Sequence, residues 1–534
     1  MKILSCSITV ILFAVTLGIV IVVAVIQPAS AQEGRIYFGS QQPQIVTSGN
    51  NLSITWQYWN PERQVNLIAS HDSGTTLSGK ITLMKSSTMF SSFSSTLGPG
   101  NDVYYVWWNY SLPYTPRLFF VKSADDGTTF GNPVLLVSHD THSDESVELD
   151  NLFASGNNVY IIWSTYREVG SSSFGTVFLS KSADRGQTFD NQIAINEPDT
   201  SWYGLETATS ENMTYFMWQS LVPQSCILGQ CKSQIHIRPM NSDGILDSIS
   251  NTIIRGNILQ AKIAASGNNV YITGVLFQPN STFNIVNGLK VSVPTASSQW
   301  VFFSKSHDGG TTFGGIENIS GSSFYCIPSV MNYQCNLGTV HPYASGDTVY
   351  VIWDESAYAD NTIKAFLVGS TNGGNTFGKT VQLTPYGFDD MVCSTLEQCV
   401  SVQFSPAPDN AVYLVWVASN LKWSSSGHVI FAKSTDGGKT LDYSDVTNST
   451  GIELSPVVAA GPDNTVYLTG LRPGFPEGNH VFFSKSADGG NSFDRGVDLD
   501  MLQEMPVPEF PFVVPVLLIG IVSMIIFYRI RIAK

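Results

Sequence analysis

The strongest constraint on this chain is an octapeptide that recurs along most of its length. The clear copies are SHDSGTTL at Ser70, SADDGTTF at Ser123, SADRGQTF at Ser182, SHDGGTTF at Ser306, STNGGNTF at Ser370, STDGGKTL at Ser434 and SADGGNSF at Ser486. A degenerate copy, NSDG, begins at Asn241. The third positions of successive copies lie 53, 59, 59, 65, 64, 64 and 52 residues apart. A four-stranded β-propeller blade needs a repeat of about this length.

A second motif keeps step with the octapeptide. Its eight copies are NNLSITW, NDVYYVW, NNVYIIW, ENMTYFMW, NNVYITG, DTVYVIW, NAVYLVW and NTVYLTG. Each is a polar turn followed by an alternating β-branched and aromatic strand, which predicts the second strand of a blade. Short apolar runs such as 301–303 and 480–483 precede the octapeptides and supply strand three, and runs such as 381–383 supply strand four. We therefore predict an all-β fold, an eight-bladed β-propeller, or a seven-bladed one if the repeat at Asn241 has decayed.

The octapeptides resemble the Asp-box, or BNR repeat, S-x-D-x-G-x-T-F/W, of sialidases and many other propellers. The matches span roughly residues 36–500. The resemblance implies a structural role for the third-position residues, which are Asp72, Asp125, Asp184, Asp308, Asn372, Asp436 and Asp488. The carboxylate accepts hydrogen bonds from turn amides, the glycine takes a positive φ, and the final Phe packs between blades. A calcium loop is disfavoured, because no copy carries the Glu at the twelfth position that an EF-hand loop requires.

Blade topology divides the connections between two faces. The 1–2 turns and the octapeptides of the 3–4 turns share one face, here called the turn face, and the 2–3 and 4–1 loops share the opposite loop face. Propellers usually bind ligands on the face with the long loops. The insertion at 275–299 belongs to that face.

The cysteines agree with export. Six of the seven fall as close pairs, Cys226 with Cys231, Cys326 with Cys335, and Cys393 with Cys399. Six cysteines allow 15 pairings, and proximity favours these three disulfides, all in predicted loop-face connections. Disulfides persist outside the cytosol, and no CxxC spacing indicates a metal site.

Both ends of the chain are apolar. Lys2, the apolar run 3–26 and the small residues at 29–31 are typical of a signal peptide over residues 1–31, with an uncleaved signal anchor as the alternative. At the other end, residues 512–528 are uncharged and are followed by Arg529, Arg531 and Lys534, which predicts a transmembrane helix with a basic cytoplasmic tail at 529–534. A buried core helix is the alternative.

The Pro-rich junction at 506–511, PVPEFP, resembles the PEF-type sorting signals of archaeal surface proteins. The expected layout is thus a propeller ectodomain over 32–505, held outside the cell membrane by one helix. Acceptor triplets for N-glycosylation begin at Asn51, Asn109, Asn212, Asn280, Asn318 and Asn448.

Charge narrows the choice of partners. The chain has 27 Lys and Arg against 42 Asp and Glu, a formal charge of -15, which repels nucleic acid. The pattern calls for no cofactor. A surface glycan or protein is the expected partner, besides the membrane.

Two loop segments offer candidate ligand-binding side chains. His139, Asp140, His142 and Asp144 could ligate zinc or calcium, although a solvated polar loop explains them as well. Trp202, Tyr203 and Glu206 could form a sugar-stacking platform, although an aromatic residue in such a loop often serves packing.

The resemblance to sialidases also implies a test of activity. Sialidases bear an Arg triad for the substrate carboxylate, with the first Arg in an Arg-Ile-Pro motif, a Tyr/Glu nucleophile pair and an Asp acid/base. That motif is absent, and the sequence HIRP at 236–239 is a distorted echo of it. Arg167 and Arg472 are among the arginines that could approach the loop face. We therefore predict a non-catalytic glycan- or protein-binding module, with no residue assigned as catalytic, and an exo-acting glycoside hydrolase of sialidase type as the alternative.

Overall fold

A computed structural model describes residues 39–504 except 60–62, 87–89, 101, 112–114, 126, 139–145, 170–171, 211–212, 223–231, 248–253, 287–288, 322–323, 329–332, 335–336, 358–361, 384–401, 408–410, 419–427 and 475–477. The described residues form eight antiparallel blades of four consecutive strands. The blade with the degenerate octapeptide keeps its four strands, so the prediction of eight blades is confirmed.

The first four blades occupy the N-terminal half of the ring. Blade 1 consists of β1 (Gly39–Ser48), β2 (Asn51–Trp59), β3 (Arg63–Ser70) and β4 (Ile81–Ser86). Blade 2 consists of β5 (Phe90–Leu97), β6 (Val103–Ser111), β7 (Thr115–Ser123) and β8 (Val134–Ser138). Blade 3 consists of β9 (Ser146–Ser155), β10 (Asn158–Val169), β11 (Ser172–Ser182) and β12 (Ile193–Ala194), with β13 (Thr200–Ser201) also on β11. Blade 4 consists of β14 (Tyr203–Ser210), β15 (Met213–Leu221), β16 (Ser233–Asn241) and β17 (Arg255–Gly256).

The last four blades repeat the pattern. Blade 5 consists of β18 (Ile258–Ser266), β19 (Asn269–Val286), β20 (Leu289–Ser306) and β21 (Glu317–Asn318), followed by β22 (Phe324–Pro328) and β23 (Tyr333–Gln334). Blade 6 consists of β24 (Leu337–Ser345), β25 (Thr348–Ala357), β26 (Thr362–Ser370) and β27 (Val381–Gln382). Blade 7 consists of β28 (Gln403–Pro406), β29 (Val412–Ala418), β30 (His428–Ser434) and β31 (Asp442–Asp445), followed by the helix α1 (Thr447–Thr450). Blade 8 consists of β32 (Leu454–Ala460), β33 (Val466–Gly474), β34 (Gly478–Ser486) and β35 (Val497–Asp498). The insertion at 275–299 extends the hairpin of β19 and β20.

Burial between blades explains the alternating apolar pattern of strand two. Trp56, Trp163 and Trp353 of that strand are fully buried, and each lies in an apolar cluster shared by two neighbouring blades. Fully burying a large apolar side chain stabilises the fold by about 2 kcal/mol. The core is therefore a series of interblade layers.

Each octapeptide closes on itself by side-chain hydrogen bonds, as blade 5 illustrates. Asp308 Oδ1 accepts hydrogen bonds from the Thr312 amide at 2.8 Å and from Ser306 Oγ at 2.7 Å, and Asp308 Oδ2 accepts one from Thr312 Oγ1 at 2.6 Å. Ser306 Oγ in turn accepts the Gly310 amide at 2.9 Å, and Gly310 has a φ of 80° that only glycine adopts readily. The Gly309 amide donates to Asn268 O in the 1–2 turn, which places both turns on one face.

The final aromatic residue of the octapeptide packs on the preceding blade. Phe189 meets Phe120 with ring centroids 4.8 Å apart, and Phe377 meets Phe303 at the same separation. Both pairs are edge-to-face, the arrangement that ring quadrupoles favour. The octapeptide thus supplies part of the packing contact between its blade and the preceding blade.

The ring closes between blade 8 and blade 1. Trp56 and Ile54 share one apolar cluster with Val481 and Phe483. Residues 499–504, here called the closing strap, then cross from blade 8 to blade 1, where the Lys80 amide donates to Gln503 O at 3.1 Å. The seam is therefore closed by packing and by the strap.

The predicted membrane segments lie outside the described residues. This holds for the signal peptide at 1–31, the junction at 506–511, the helix at 512–528 and the tail at 529–534. Within residues 39–504, where described, no helix is long and apolar enough to cross a bilayer.

Candidate functional site

The first strand of each blade lines the centre of the ring. First strands of neighbouring blades contact one another, as β14 contacts β18 and β18 contacts β24. First strands run from the loop face to the turn face. Their side chains therefore form the wall of a central channel.

Eight equivalent positions on these strands form a belt that we call the inner ring. In each blade, the first residue of the octapeptide pairs with a residue of strand two. The strand-two residue three positions further along the chain pairs with the inner-ring residue of strand one. The inner ring consists of Gln44, Ser94, Asn151, Thr207, Lys262, His341, Gln403 and Val457. All eight side chains are half-buried, and seven of the eight are polar. The same level of seven blades therefore offers hydrogen-bonding groups to the channel.

Lateral contacts hold parts of the inner ring in place. Asn151 Nδ2 donates to Thr207 Oγ1 at 2.6 Å, which joins blades 3 and 4. Asn151 Oδ1 accepts the Leu152 amide at 2.8 Å, which fixes the orientation of the side-chain amide. Lys262 forms an ion pair with Glu206, which joins blades 4 and 5. These contacts pre-orient the polar groups of the wall.

A β-bulge lies just before the inner ring on the loop-face side of seven first strands. The register shifts between Gln41 and Gln44, Phe90 and Phe93, Tyr203 and Glu206, Ile258 and Gln260, Leu337 and Val340, and Leu454 and Val457, and in blade 3 Asp150 is the extra residue. Bulges re-aim side chains and are frequent beside functional sites. This belt is where the wall departs from regular strand geometry.

Burial shifts the pKa of His341 and of Glu206. Burial raises the pKa of Glu206, and its hydrogen bond and ion pair with Lys262 oppose the rise. Burial lowers the pKa of His341 to about 4, and the charge of Lys262 acts in the same direction. The imidazole of His341 is therefore neutral at pH 7.

Three further carboxyl groups lie on the loop-face side of the inner ring, and we call them the acid rim. Burial raises the pKa of Asp150 to about 7, against a hydrogen bond with Ser164. Burial likewise raises the pKa of Glu355 to about 7 and raises that of Asp354. Carboxyl groups with such values are partly protonated near neutral pH.

Members of the acid rim accept hydrogen bonds from residues of their own blade. Asp354 Oδ1 accepts the Thr339 amide at 2.7 Å and Thr339 Oγ1 at 2.6 Å. Glu355 Oε1 accepts Trp353 Nε1 at 3.1 Å. Asp150 directly precedes the ring residue Asn151. Asp150 thus lies beside the inner ring in blade 3, and Asp354 is hydrogen-bonded to the first strand of blade 6.

The predicted sugar-stacking residues do not act together. Trp202 is only 7% exposed and packs in the cluster between blades 3 and 4, which matches the packing alternative. Tyr203 Oη accepts Gln219 Nε2 at 3.4 Å. Of the three, Glu206 contacts the inner ring, through its ion pair with Lys262.

The two candidate arginines lie on different blades. Arg167 of β10 forms an exposed ion pair with Asp199 at 2.9 Å. Arg472 of β33 stacks over Phe482 at 4.4 Å and lies 3.7 Å from Glu453. They do not form a common anion site with each other.

The predicted metal loop at 139–145, with His139, Asp140, His142 and Asp144, lies outside the described residues. The described part contains another group that could hold a metal, namely His480, Asp498 and Asp500. The Asp500 carboxylate already accepts Trp56 Nε1 and the Val481 amide, each at 2.9 Å. His480 Nδ1 lies 3.0 Å from Asp498 Oδ2.

Blade 7 repeats this arrangement without the third acid. His428 Nδ1 lies 2.7 Å from Asp445 Oδ2, and Thr447 Oγ1 accepts the Val429 amide at 2.7 Å. The Thr447 amide donates to Asp445 Oδ1 at 3.0 Å. In both groups the side-chain contacts therefore connect strand three to strand four of the blade.

Five of the six cysteines of the predicted disulfides lie outside the described residues. Cys226, Cys231, Cys335, Cys393 and Cys399 lie outside the described residues, and Cys326 lies in β22. Of the glycosylation acceptors, Asn318 and Asn448 are exposed, Asn51 and Asn109 are half-buried, Asn280 lies in β19, and Asn212 lies outside the described residues.

A cavity of about 240 Å³ opens on the turn face between blades 3 and 4. Asn241 and Ser242 of the degenerate octapeptide line it, together with Phe153 and Met213. The cavity lies where the repeat departs most from its pattern.

Fold and channel define the class of this protein as an eight-bladed β-propeller with a polar channel wall. No protein-family model matches the chain, and no curated protein matches it in sequence. Among solved structures it is similar to the Hadza microbial sialidase Hz136, with 13% identity over 59% of this chain and 63% of that one, at a TM-score of 0.33. It is also similar to the polysaccharide lyase Uly1, with 12% identity over 77% of this chain and 92% of that one, at a TM-score of 0.43. A third similar structure is the propeller domain of the Trilobed protease from Pyrococcus furiosus, with 8% identity over 76% and 97% of the two chains, at a TM-score of 0.38.

Proposed function

We propose that this chain is a cell-surface propeller of the Asp-box, sialidase-like type that binds a glycan in its channel and does not hydrolyse sialosides. The observation that carries the proposal is the inner ring, seven polar side chains at one level of eight blades. A concave wall of fixed donors and acceptors suits a ligand that presents many hydroxyl groups. The Asp-box resemblance of the octapeptides supports the assignment to this type.

Binding without sialoside hydrolysis is supported by the arginines. A sialic-acid carboxylate needs a bidentate Arg pair, each worth about 1.5–3 kcal/mol. The eight first strands contain no arginine within their bounds. Arg167 and Arg472 are engaged on separate blades.

The chain ends support location at the cell surface. The apolar segments at 1–31 and 512–528 indicate export and a single membrane anchor, and the paired cysteines fit an oxidising exterior. Protease added to intact cells should then remove the propeller and leave the C-terminal tail protected. Protection of the propeller would contradict this location.

The binding experiment uses the full-length protein in detergent micelles on a panel of immobilised oligosaccharides. We expect at least one oligosaccharide to bind, and Lys262→Met to weaken that binding roughly tenfold, because loss of a hydrogen bond to a charged group costs about 1.5–3 kcal/mol. Lys379→Met, which removes an exposed lysine between the octapeptide and β27 of blade 6, is the matched control. Equal binding by both variants would contradict the role of the inner ring in oligosaccharide binding.

A glycoside hydrolase is the second candidate, favoured by one observation. The carboxyl groups of Asp150 and Glu355, with pKa values raised to about 7, have the acidity of a general acid at neutral pH. Release of a fluorophore from an α-sialoside and from a set of neutral glycosides distinguishes the two. We expect no turnover of the sialoside. Turnover that disappears in Arg167→Ala or Arg472→Ala would make the enzyme the primary assignment.

A further inference from the structure

We propose that the channel selects carbohydrate without acidic groups, so that its ligand is a neutral oligosaccharide rather than a sialylated, uronic or sulfated one. This inference rests on the proposed glycan binding. It names the class of ligand from the charges of the channel wall.

The inner ring itself carries almost no net charge. Gln44, Ser94, Asn151, Thr207 and Gln403 are neutral groups that both donate and accept hydrogen bonds. The His341 imidazole is neutral at pH 7 because it is buried. The single ammonium group, on Lys262, is offset by its ion pair with Glu206. Such a set matches hydroxyl groups and offers no unpaired cation to an anion.

The acid rim adds negative charge on the side from which a ligand enters. Asp150, Asp354 and Glu355 lie on the loop-face side of the inner ring, and Glu148 lies two residues before Asp150 on β9. Lys364 opposes this charge through its attraction to Glu355. A ligand carboxylate or sulfate placed here meets like charge, and juxtaposed like charges weaken binding strongly.

Within their bounds, the first strands that line the channel carry one cation, Lys262, and Glu206 pairs with it. These strands contain no arginine. Four described arginines on strands two and three are held elsewhere: Arg63 over Trp59, Arg167 with Asp199, Arg238 on the carbonyls of Ala194 and Ile195, and Arg472 over Phe482. Arg117 of β7 is exposed, and Arg185 pairs with Asp102 on the turn face. The first strands thus lack the guanidinium groups that recognise acidic sugars.

The experiment compares matched pairs of ligands. Binding of the full-length protein in detergent micelles is measured by calorimetry with neutral oligosaccharides and with the same cores that carry a terminal sialic acid or a C6 carboxylate. At pH 7 we expect the acidic member of each pair to bind roughly tenfold more weakly or worse. Raised ionic strength should reduce this difference in affinity, since salt screens the repulsion between the acid rim and an acidic ligand.

Two changes should also reduce the difference in affinity between acidic and neutral ligands. At pH 5 the carboxyl groups of Asp150 and Glu355, whose pKa values lie near 7, are protonated, although Glu148 faces Asp150, and Asp354 and Lys364 face Glu355. The double variant Asp354→Asn with Glu355→Gln removes the negative charge that these two carboxyl groups carry at pH 7. Glu168→Gln, which removes an exposed carboxylate at the loop-face end of β10 outside the acid rim, is the control and should leave the difference in affinity unchanged.

The outcomes separate the two proposals. Acidic ligands that bind as tightly as their neutral partners at pH 7 would overturn the charge selection and leave glycan binding intact. Absence of binding to every oligosaccharide would overturn glycan binding and this inference with it. The pH arm uses the unaltered protein, so poor folding of the double variant does not spare the inference.

Discussion

At the scale of single residues, the octapeptide carboxylates are ionised far below the usual range. Hydrogen bonds from the Thr76 amide and hydroxyl lower the pKa of Asp72 to about 2. The equivalent hydrogen bonds from Thr188 and Thr312 lower the pKa of Asp184 and Asp308 to about 2. Asn372 fills the same position, accepts the Thr376 amide at 3.0 Å and donates to Thr376 Oγ1 at 2.8 Å. The turn therefore needs an acceptor at this position, and a charge is optional.

These carboxylates should make the propeller sensitive to acid. Their folded-state pKa values lie below the ordinary 3.8, so their stabilisation is complete above about pH 4 and is lost as pH falls toward 2. The variant Asp72→Asn with Asp308→Asn keeps the acceptor and removes the titration. We expect its midpoint of thermal unfolding to fall less than that of the unaltered protein between pH 5 and pH 2. Parallel curves for the two proteins would contradict the assignment of acid sensitivity to these turns.

At the scale of strands and turns, a lysine precedes the octapeptide in five of the eight blades, and Ala69, Met240 and Gly369 take its place in blades 1, 4 and 6. The lysine before the octapeptide serine reaches the next blade, as Lys122 Nζ donates to Arg185 O and Lys305 Nζ donates to Gly374 O, each at 2.9 Å. In blade 6 a glycine, Gly369, takes the place of that lysine. A Cβ at Gly369 would overlap the carbonyl oxygen of Gly437, so the neighbouring turn approaches the backbone directly.

The seam between blades 6 and 7 should therefore be intolerant of a methyl group. Overpacking of this kind costs roughly 1–3 kcal/mol, so Gly369→Ala should lower the free energy of unfolding by that amount. Gly315→Ala is the matched control, because a Cβ there meets nothing within 4 Å. Denaturant titration of both variants measures the difference. An unchanged midpoint for Gly369→Ala would show that the seam adapts.

The blade could be predicted from sequence, whereas the inner ring could not. Periodic apolar residues and turn chemistry mark strands two and three and the octapeptide, because those patterns come from burial and backbone bonding. The ring residue precedes its partner by 9 residues in blade 4, 11 in blade 5 and 12 in blade 7, as the pairs Thr207 with Phe216, Lys262 with Thr273 and Gln403 with Val415 show. Variable turns and bulges change this count, so no fixed spacing identifies Lys262 or His341 in advance.

At the scale of the whole molecule, the closing strap joins the two ends of the ring. Asp500 accepts hydrogen bonds from Trp56 Nε1 in blade 1 and from the Val481 amide in blade 8. Leu502 packs in the apolar cluster shared by these blades. One carboxylate thus connects the first and last repeats.

Loss of this carboxylate should weaken closure more than loss of other strap contacts. Asp500→Ala leaves buried donors without an acceptor and should lower the free energy of unfolding by roughly 2 kcal/mol. Glu504→Gln changes an exposed contact with Lys80 at 3.7 Å and should have little effect. Thermal unfolding measures both, and limited proteolysis near the seam reports opening. Equal stability of the two variants would show that the Asp500 carboxylate does not stabilise the closure.

The closing strap also determines the face of the propeller from which the chain continues toward its C-terminus. Lys80 precedes the fourth strand of blade 1, on the turn-face side, and pairs with Glu504, so the chain leaves the disc from that side. If residues 512–528 enter the membrane as proposed, the intervening residues 505–511 reach at most about 29 Å. The tether then holds the disc with its octapeptides toward the lipid and the mouth of its channel toward the surroundings. A molecule arriving from another cell or from the medium would meet the acid rim first, whereas the cell's own lipid headgroups would meet only the turns.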